Sequence, residues 1–279
     1  MTDRLVETAD GRVLHTMSLG AGDDLVVLEA GLGISGRYWG PVQQQVARSA
    51  RVVAYERAGY GTSTPGPARH RDLAGLTDDL QAAIESEAHR RLVLVGHSWG
   101  GPIVRTLAAR LAVAGSPPAG LVLVDQSDEH AADLYVSPMM RWSSASQAKL
   151  MPPLARMRLL APLMRSTLTG LPEPWRTAAA DASATVAAAR AAAAELSHVA
   201  DGVQQLMEAS PDLSGVPVTV LSGARSTFAD RRMRARLVAA HRETARALDA
   251  RFVVAERSGH LIPVAEPELI ATEAVAHFR

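Results

Sequence analysis

Arg91-Leu92-Val93-Leu94-Val95-Gly96-His97-Ser98-Trp99-Gly100-Gly101 is the stretch that decides the fold of this 279-residue chain. Leu92–Val95 is a short unbroken apolar run, the pattern of a strand buried on both faces. A helix is predicted over Trp99–Val113. Gly96-His97-Ser98-Trp99-Gly100 fits G-x-S-x-G at the strand-to-helix turn between them. Side chains at either glycine would clash in so sharp a turn, and the turn lifts the Ser98 hydroxyl above the sheet. The helix N-terminus adds a favourable dipole, and the Trp99 N–H can donate to a developing oxyanion. A Gly-rich turn with an incidental serine is the bland alternative. The strand and helix on either side favour a nucleophile.

The same strand and helix pattern extends outward in both directions. Arg4–Thr8 and Arg12–Ser18 read as strands about the turn Ala9-Asp10-Gly11. Leu25–Glu29 is an apolar run ending in a Gly-rich loop, Ala30–Gly36. Tyr38, Val42 and Val46 have helical spacing, Arg51–Tyr55 reads as a strand, and Leu73–Ala88 as a helix with Leu73, Leu76, Leu80 and Ile84 on one face. Strands at Leu121–Val124, Val216–Leu221 and Arg251–Ala255 and a helix near Glu266–Phe278 complete the series. Short apolar strands alternating with helices predict an α/β fold, a mainly parallel sheet covered on both faces. Residues 126–214 break the alternation: they show no clear strand and hold six of the nine methionines. They are read as a helical cap inserted into a core domain formed by residues 1–125 and 215–279.

Composition narrows the function classes. Hydrophobic residues make up 47% and charged residues 21%, ordinary for a globular chain able to bury a large core. Formal net charge is zero, so bulk charge gives no reason to expect nucleic acid or an anionic membrane as partner. The absence of cysteine excludes disulfides, a thiolate nucleophile and a Cys-ligated metal. The histidines show no ligand spacing, and neither metal nor cofactor is expected. With no apolar signal core at the start and no long apolar run, a cytoplasmic location is expected. Lys149 is the only lysine, and the Arg-rich, Ala-rich usage reads as composition bias.

The chain resembles the α/β-hydrolase family, well over residues 1–125 and 215–279 and poorly over the insertion. Besides the Ser98 turn, Leu28-Glu29-Ala30-Gly31-Leu32-Gly33 is similar to the family's oxyanion loop, and Trp39 fits an aromatic seen just beyond it. Arg57-Ala58-Gly59-Tyr60-Gly61-Thr62-Ser63 resembles its Arg-x-Gly-x-Gly-x-Ser segment. Ser258-Gly259-His260 follows the last strand, where the family places its catalytic histidine. The resemblance implies a serine hydrolase in which Ser98 attacks, His260 is the general base, and the Leu32 and Trp99 N–H groups hold the oxyanion. Two departures stand out. Ala30-Gly31 replaces a frequent His-Gly, and the loop Ser222–Thr227 lacks the family's usual acid. Asp125, ending Leu121–Val124, is the replacement, and some members take their acid from this strand. Asp230 is held in reserve, and an Asp125 that merely caps a following helix is the bland reading.

Other residues receive lesser roles. His97 is read as a structural neighbour of the nucleophile, and Glu29 as a supporting or surface residue. The arginines 231, 232, 234, 236, 242 and 246 are read as a solvated helix face. Gly31, Met139 and Trp142 are expected to line the pocket of a small, hydrophobic substrate. Gly31-Leu32-Gly33-Ile34-Ser35-Gly36, with Glu56 twenty residues on, also fits a dinucleotide fingerprint. A ligand-binding member of the fold without turnover, an acyltransferase and a perhydrolase are further alternatives.

Overall fold

A computed structural model describes residues 2–279. Eight strands form one sheet in the order β1-β2-β4-β3-β5-β6-β7-β8. They are β1 (Thr2–Glu7), β2 (Val13–Leu19), β3 (Asp24–Glu29), β4 (Arg51–Glu56), β5 (Arg91–His97), β6 (Gly120–Val124), β7 (Val218–Gly223) and β8 (Arg251–Ala255). Only β1 with β2 and β2 with β4 pair antiparallel; from β4 through β8 the sheet is parallel.

The helices are α1 (Gly40–Val46), α2 (Leu73–Glu85), α3 (Gly100–Val113), α4 (Asp133–Val136), α5 (Pro138–Arg156), α6 (Leu160–Thr167), α7 (Trp175–Ser183), α8 (Val186–Glu208), α9 (Arg231–Ala247), α10 (Ile262–Ala265) and α11 (Pro267–Ala276). Successive residues of the central strands go to opposite faces, as the two-residue period of a strand requires. Leu92 and Leu94 join one core with Leu76, Leu80 and Leu107, under α2 and α3. Val93 and Val95 join another with Val42, Val46, Ile270 and Ala274, under α1 and α11. Because both faces are covered, the central strands read as continuous apolar runs rather than alternating ones. The stretch between β6 and β7 carries helices α4 to α8 and no strand. Among the described residues no helix is long and apolar enough to cross a membrane.

Adjacent parallel strands end side by side, and this register assembles the site. His97 pairs with Val124 and Val124 with Leu221, so the residues just past β5, β6 and β7 share one sheet edge. Ser98 N–H donates to Val124 O at 3.0 Å, and Asp125 N–H to Leu221 O at 2.8 Å.

Candidate active site

The turn after β5 needs its glycines for a measurable reason. A Cβ at position 96 would lie 2.4 Å from Gly100 O, and one at position 100 would lie 2.6 Å from Glu29 O. Both are backbone collisions that no rotamer relieves. Ser98 itself has φ of 54°, and Asp125 has φ of 41°. Non-glycine residues in this region are strained, and such strain concentrates at functional sites.

Ser98, His260 and Asp125 form one hydrogen-bonded line. Ser98 Oγ is 3.1 Å from His260 Nε2, and His260 Nδ1 is 2.7 Å from Asp125 Oδ2. His260 comes from the loop after β8, two strands away from β6, and must cross the end of β7. Gly223 makes room: a Cβ there would sit 2.1 Å from Gly259 O. The same glycine donates its N–H to Asp125 Oδ1 at 2.9 Å. Asp230, by contrast, is partly exposed ahead of α9 and accepts from Thr227 N–H at 2.5 Å and Thr227 Oγ1 at 2.7 Å. Helix capping beyond β6 falls to Asp128, which accepts from His130 N–H. Asp125 is left to His260.

Arg234 corrects the reading of α9 as a solvated face. It is 5% exposed, and its guanidinium donates to Asp125 Oδ1 at 2.6 Å. Helical periodicity turns position 234 inward while Arg231, Arg232 and Arg236 remain outside. Burial pushes the Asp125 carboxyl up, but hydrogen bonds and charge from His260, then His241 and Arg234, outweigh it and hold the acid well below the usual carboxylate range. Asp125 is therefore ionised at neutral pH.

His97 is a structural neighbour, as expected, though it lies close to the site. Its Nε2 is 2.8 Å from His260 O and its Nδ1 is 3.0 Å from Tyr38 Oη. A carbonyl can only accept, so Nε2 carries the proton and Nδ1 accepts from the Tyr38 hydroxyl. Burial, with the nearby charge of His260, lowers the His97 pKa to about 3 and keeps the ring neutral.

The loop after β3 lies against the nucleophile. A Cβ on Gly31 would be 3.3 Å from Ser98 Cβ, so a glycine here allows close approach to the hydroxyl. Among the described residues neither the Leu32 nor the Trp99 N–H has a protein acceptor. Glu29, expected as a supporting or surface residue, is fully buried. Tyr55 Oη donates to it at 2.5 Å and Arg57 Nε at 2.7 Å. Arg57 also donates to Ala30 O and to Glu195 Oε2 of α8, the latter at 2.8 Å. One buried guanidinium thus holds the backbone of the loop after β3 and helix α8 together.

The dinucleotide reading fails on geometry. A Cβ at Gly36 would meet Tyr55 O at 2.0 Å, so that glycine serves strand packing. Glu56 is fully buried and accepts from Ser35 Oγ at 2.8 Å and Arg37 Nε at 2.9 Å, with no edge left for a ribose. Asp128, Glu129 and His130 bring ligand-type atoms within 4.8 Å of one another. Their oxygens are engaged: Glu129 holds Arg105 through two bonds of 2.7 Å, and Asp128 accepts from Gln126, His130 and Thr244. Met139 and Trp142, both on α5, are 69% and 73% exposed. The residues that sequence reasoning missed are Arg234, Gly223 and Glu195.

These features match known proteins at the level of the fold. A solved structure described as "a putative alpha/beta hydrolase from Nostoc sp PCC 7120" has a TM-score of 0.78 to this chain at 17% identity, covering 99% of this chain and 97% of its own. A thermophilic esterase of Thermogutta terrifontis has a TM-score of 0.72 at 20% identity, covering 100% and 98%. "Putative carbamate hydrolase RutD" of Yersinia enterocolitica is 39% identical over 83 residues, a match spanning only 30% of either chain. The sequence model described as "Alpha/beta hydrolase family" matches residues 25–274, from β3 to α11, and the chain belongs to that family.

Proposed function

We propose that the protein is a serine hydrolase that cleaves an ester-like bond of a small hydrophobic substrate through an acyl-enzyme at Ser98. The observation that carries this reading is the unbroken line from Ser98 Oγ to His260 Nε2 at 3.1 Å and from Nδ1 to Asp125 Oδ2 at 2.7 Å. Both distances are within reach for proton transfer and orientation. His260 takes the Ser98 proton as the hydroxyl attacks a carbonyl carbon. Asp125, acting through Nδ1, fixes the tautomer that presents a bare Nε2 and stabilises the imidazolium. The Leu32 and Trp99 N–H groups receive the oxyanion, and His260 returns its proton to the leaving group. Water, deprotonated by His260, then releases the acyl group.

The insertion, residues 126–214, is read as a cap beside this centre. In support, a Cβ on Gly202 of α8 would lie 2.6 Å from the Trp99 ring, and Ala192 Cβ is 3.9 Å from where a Gly33 Cβ would lie. An esterase among the structural likenesses and relatives named for carbamate hydrolysis agree with attack on a carbonyl bearing a heteroatom leaving group.

Ser98→Ala removes one hydroxyl from a turn that glycines already shape. Turnover of p-nitrophenyl esters is expected to fall by roughly 10³-fold or more with folding unchanged. Fluorophosphonate labelling is expected to disappear in the same variant. Turnover by a folded Ser98→Ala protein close to the parent's would sink the serine mechanism. Ligand-induced stabilisation of the unsubstituted protein without turnover or labelling would instead point to a binding protein on this fold.

A further inference from the structure

Zero net charge conceals a segregated surface. Residues 134–172 contain five basic residues, Arg141, Lys149, Arg156, Arg158 and Arg165, and no acidic one. The same stretch contributes six of the eleven large hydrophobic side chains that stand exposed. Scattered exposed apolar residues need no explanation, but this many within one short segment do.

Helix geometry sorts these residues. At about 100° per residue, Met139, Trp142, Lys149, Leu150, Arg156 and Met157 fall within one arc of roughly 120°. Met151 and Ala155, on the other side of α5, pack with Ala189 of α8. The outward arc is therefore apolar and cationic together. Leu159, just ahead of α6, and Leu163 on it are each about half exposed. Arg141 and Arg165 are neutralised by Asp201 and Asp181. Among the described residues, Lys149, Arg156 and Arg158 have no acidic partner.

We infer that the outward face of α5 and α6 is a docking surface for a bilayer carrying anionic lipid. A Trp and flexible Met and Leu side chains entering the headgroup boundary, flanked by unpaired cations, is the arrangement that binds such an interface. A second copy of the chain is the weaker occupant. A self-complementary contact would set Lys149, Arg156 and Arg158 against their own copies with no acid between residues 134 and 172 to offset them. The surface does not depend on the chemistry assigned to Ser98, so its test requires no turnover.

The test is sedimentation of the full chain with equimolar phosphatidylglycerol–phosphatidylcholine vesicles and with pure phosphatidylcholine vesicles. Binding to the anionic vesicles alone, weakened by salt, is expected. Lys149→Gln, Arg156→Gln and Arg158→Gln combined are expected to reduce it on the order of 100-fold, at about fivefold for each lost charge. Trp142→Ala is expected to weaken it and, as the other tryptophans are at least partly buried, to abolish quenching by brominated acyl chains. Lys149, Arg156 and Arg158 are exposed, so the triple variant is expected to keep the parent's melting temperature and hydrolysis of soluble esters. Equal binding to both vesicle types, or to neither, would overturn the inference. So would self-association of the parent chain that the triple variant loses.

Discussion

At the scale of single residues, the Asp125 carboxylate is fixed by three neighbours. Asp125 gives one oxygen to His260 and shares the other between the Gly223 N–H and Arg234. Both oxygens are thus committed, and the carboxylate cannot swing away from Nδ1. Asp125→Asn keeps the shape but offers Nδ1 an amide, which favours the wrong histidine tautomer. Ester turnover is expected to fall by up to about 10⁴-fold. Asp230→Asn, at a partly exposed residue whose carboxylate bonds Thr227, is expected to leave kcat/KM within a few tenths of a log unit. The opposite ranking in two folded variants would move the acid to the later loop. The hydrogen-bonded line of Ser98, His260 and Asp125 could be anticipated from the sequence because a motif or a strand end marks each of them. Arg234 could not. One arginine among many in an amphipathic helix carries no local mark of burial, and only the docking of α9 on β7 selects it. Glu29 was left between a supporting and a surface role for a similar reason: its partner Arg57 becomes visible only once β3 and β4 pair.

At the scale of elements, the strand ends bear the cost of building the site, and pH exposes that cost. His97 closes β5 as a neutral ring between Tyr38 and the His260 carbonyl, its pKa lowered to about 3 by burial and then by His260. In the unfolded chain a histidine titrates at about 6.5. Between those values the unfolded state binds a proton that the folded state refuses, so stability rises with pH across the window and falls as pH is lowered through it. The slope attributable to His97 is at most about 1.4 kcal/mol per pH unit. His97→Asn, which cannot be charged, is expected to be less stable at pH 7 yet to lose less on acidification. Urea unfolding midpoints at pH 7 and pH 4.5 measure this, and parallel losses in parent and variant would clear His97. Most strands were readable because burial on both faces leaves an unmistakable apolar run; β8 was predicted at its observed bounds. β7, predicted as Val216–Leu221, is observed as Val218–Gly223: Pro217 has no N–H for the ladder, and polar Ser222 pairs with Val254 at the other end. Met139 and Trp142 show another limit: apolar content marks a side chain for contact without saying whether it faces α8 or solvent.

At the scale of the whole molecule, the question is how an inserted set of helices keeps register with the sheet that carries the chemistry. The sequence marked the break after Asp125 by the loss of strand pattern, but nothing in residues 126–214 announced the tie. It is a buried charge cluster. Glu195 of α8 reaches Arg57 at 2.8 Å and Arg71 at 3.6 Å, while Arg57 also holds Glu29 and the Ala30 carbonyl. Two carboxylates and two guanidiniums, all nearly inaccessible, balance across the junction. Replacing such a cluster wholesale by apolar groups can be neutral, but removing one member leaves a charge stranded without solvent. Glu195→Ala strands part of the charge of Arg57 and Arg71 and is expected to cost about 3–5 kcal/mol. The tie joins α8 to the loop after β3, so the loss is expected as one cooperative urea transition at a lower midpoint. A drop in ester kcat larger than the change in KM is expected beside it. A double-mutant cycle with Arg71→Met, which removes one of the stranded charges, is expected to recover part of the stability. The competing outcome is two transitions, with a helical unit melting first and a sheet that unfolds at the parent's midpoint. That result would mean that the insertion rests on the core without being coupled to it, and that Glu195 serves α8 alone.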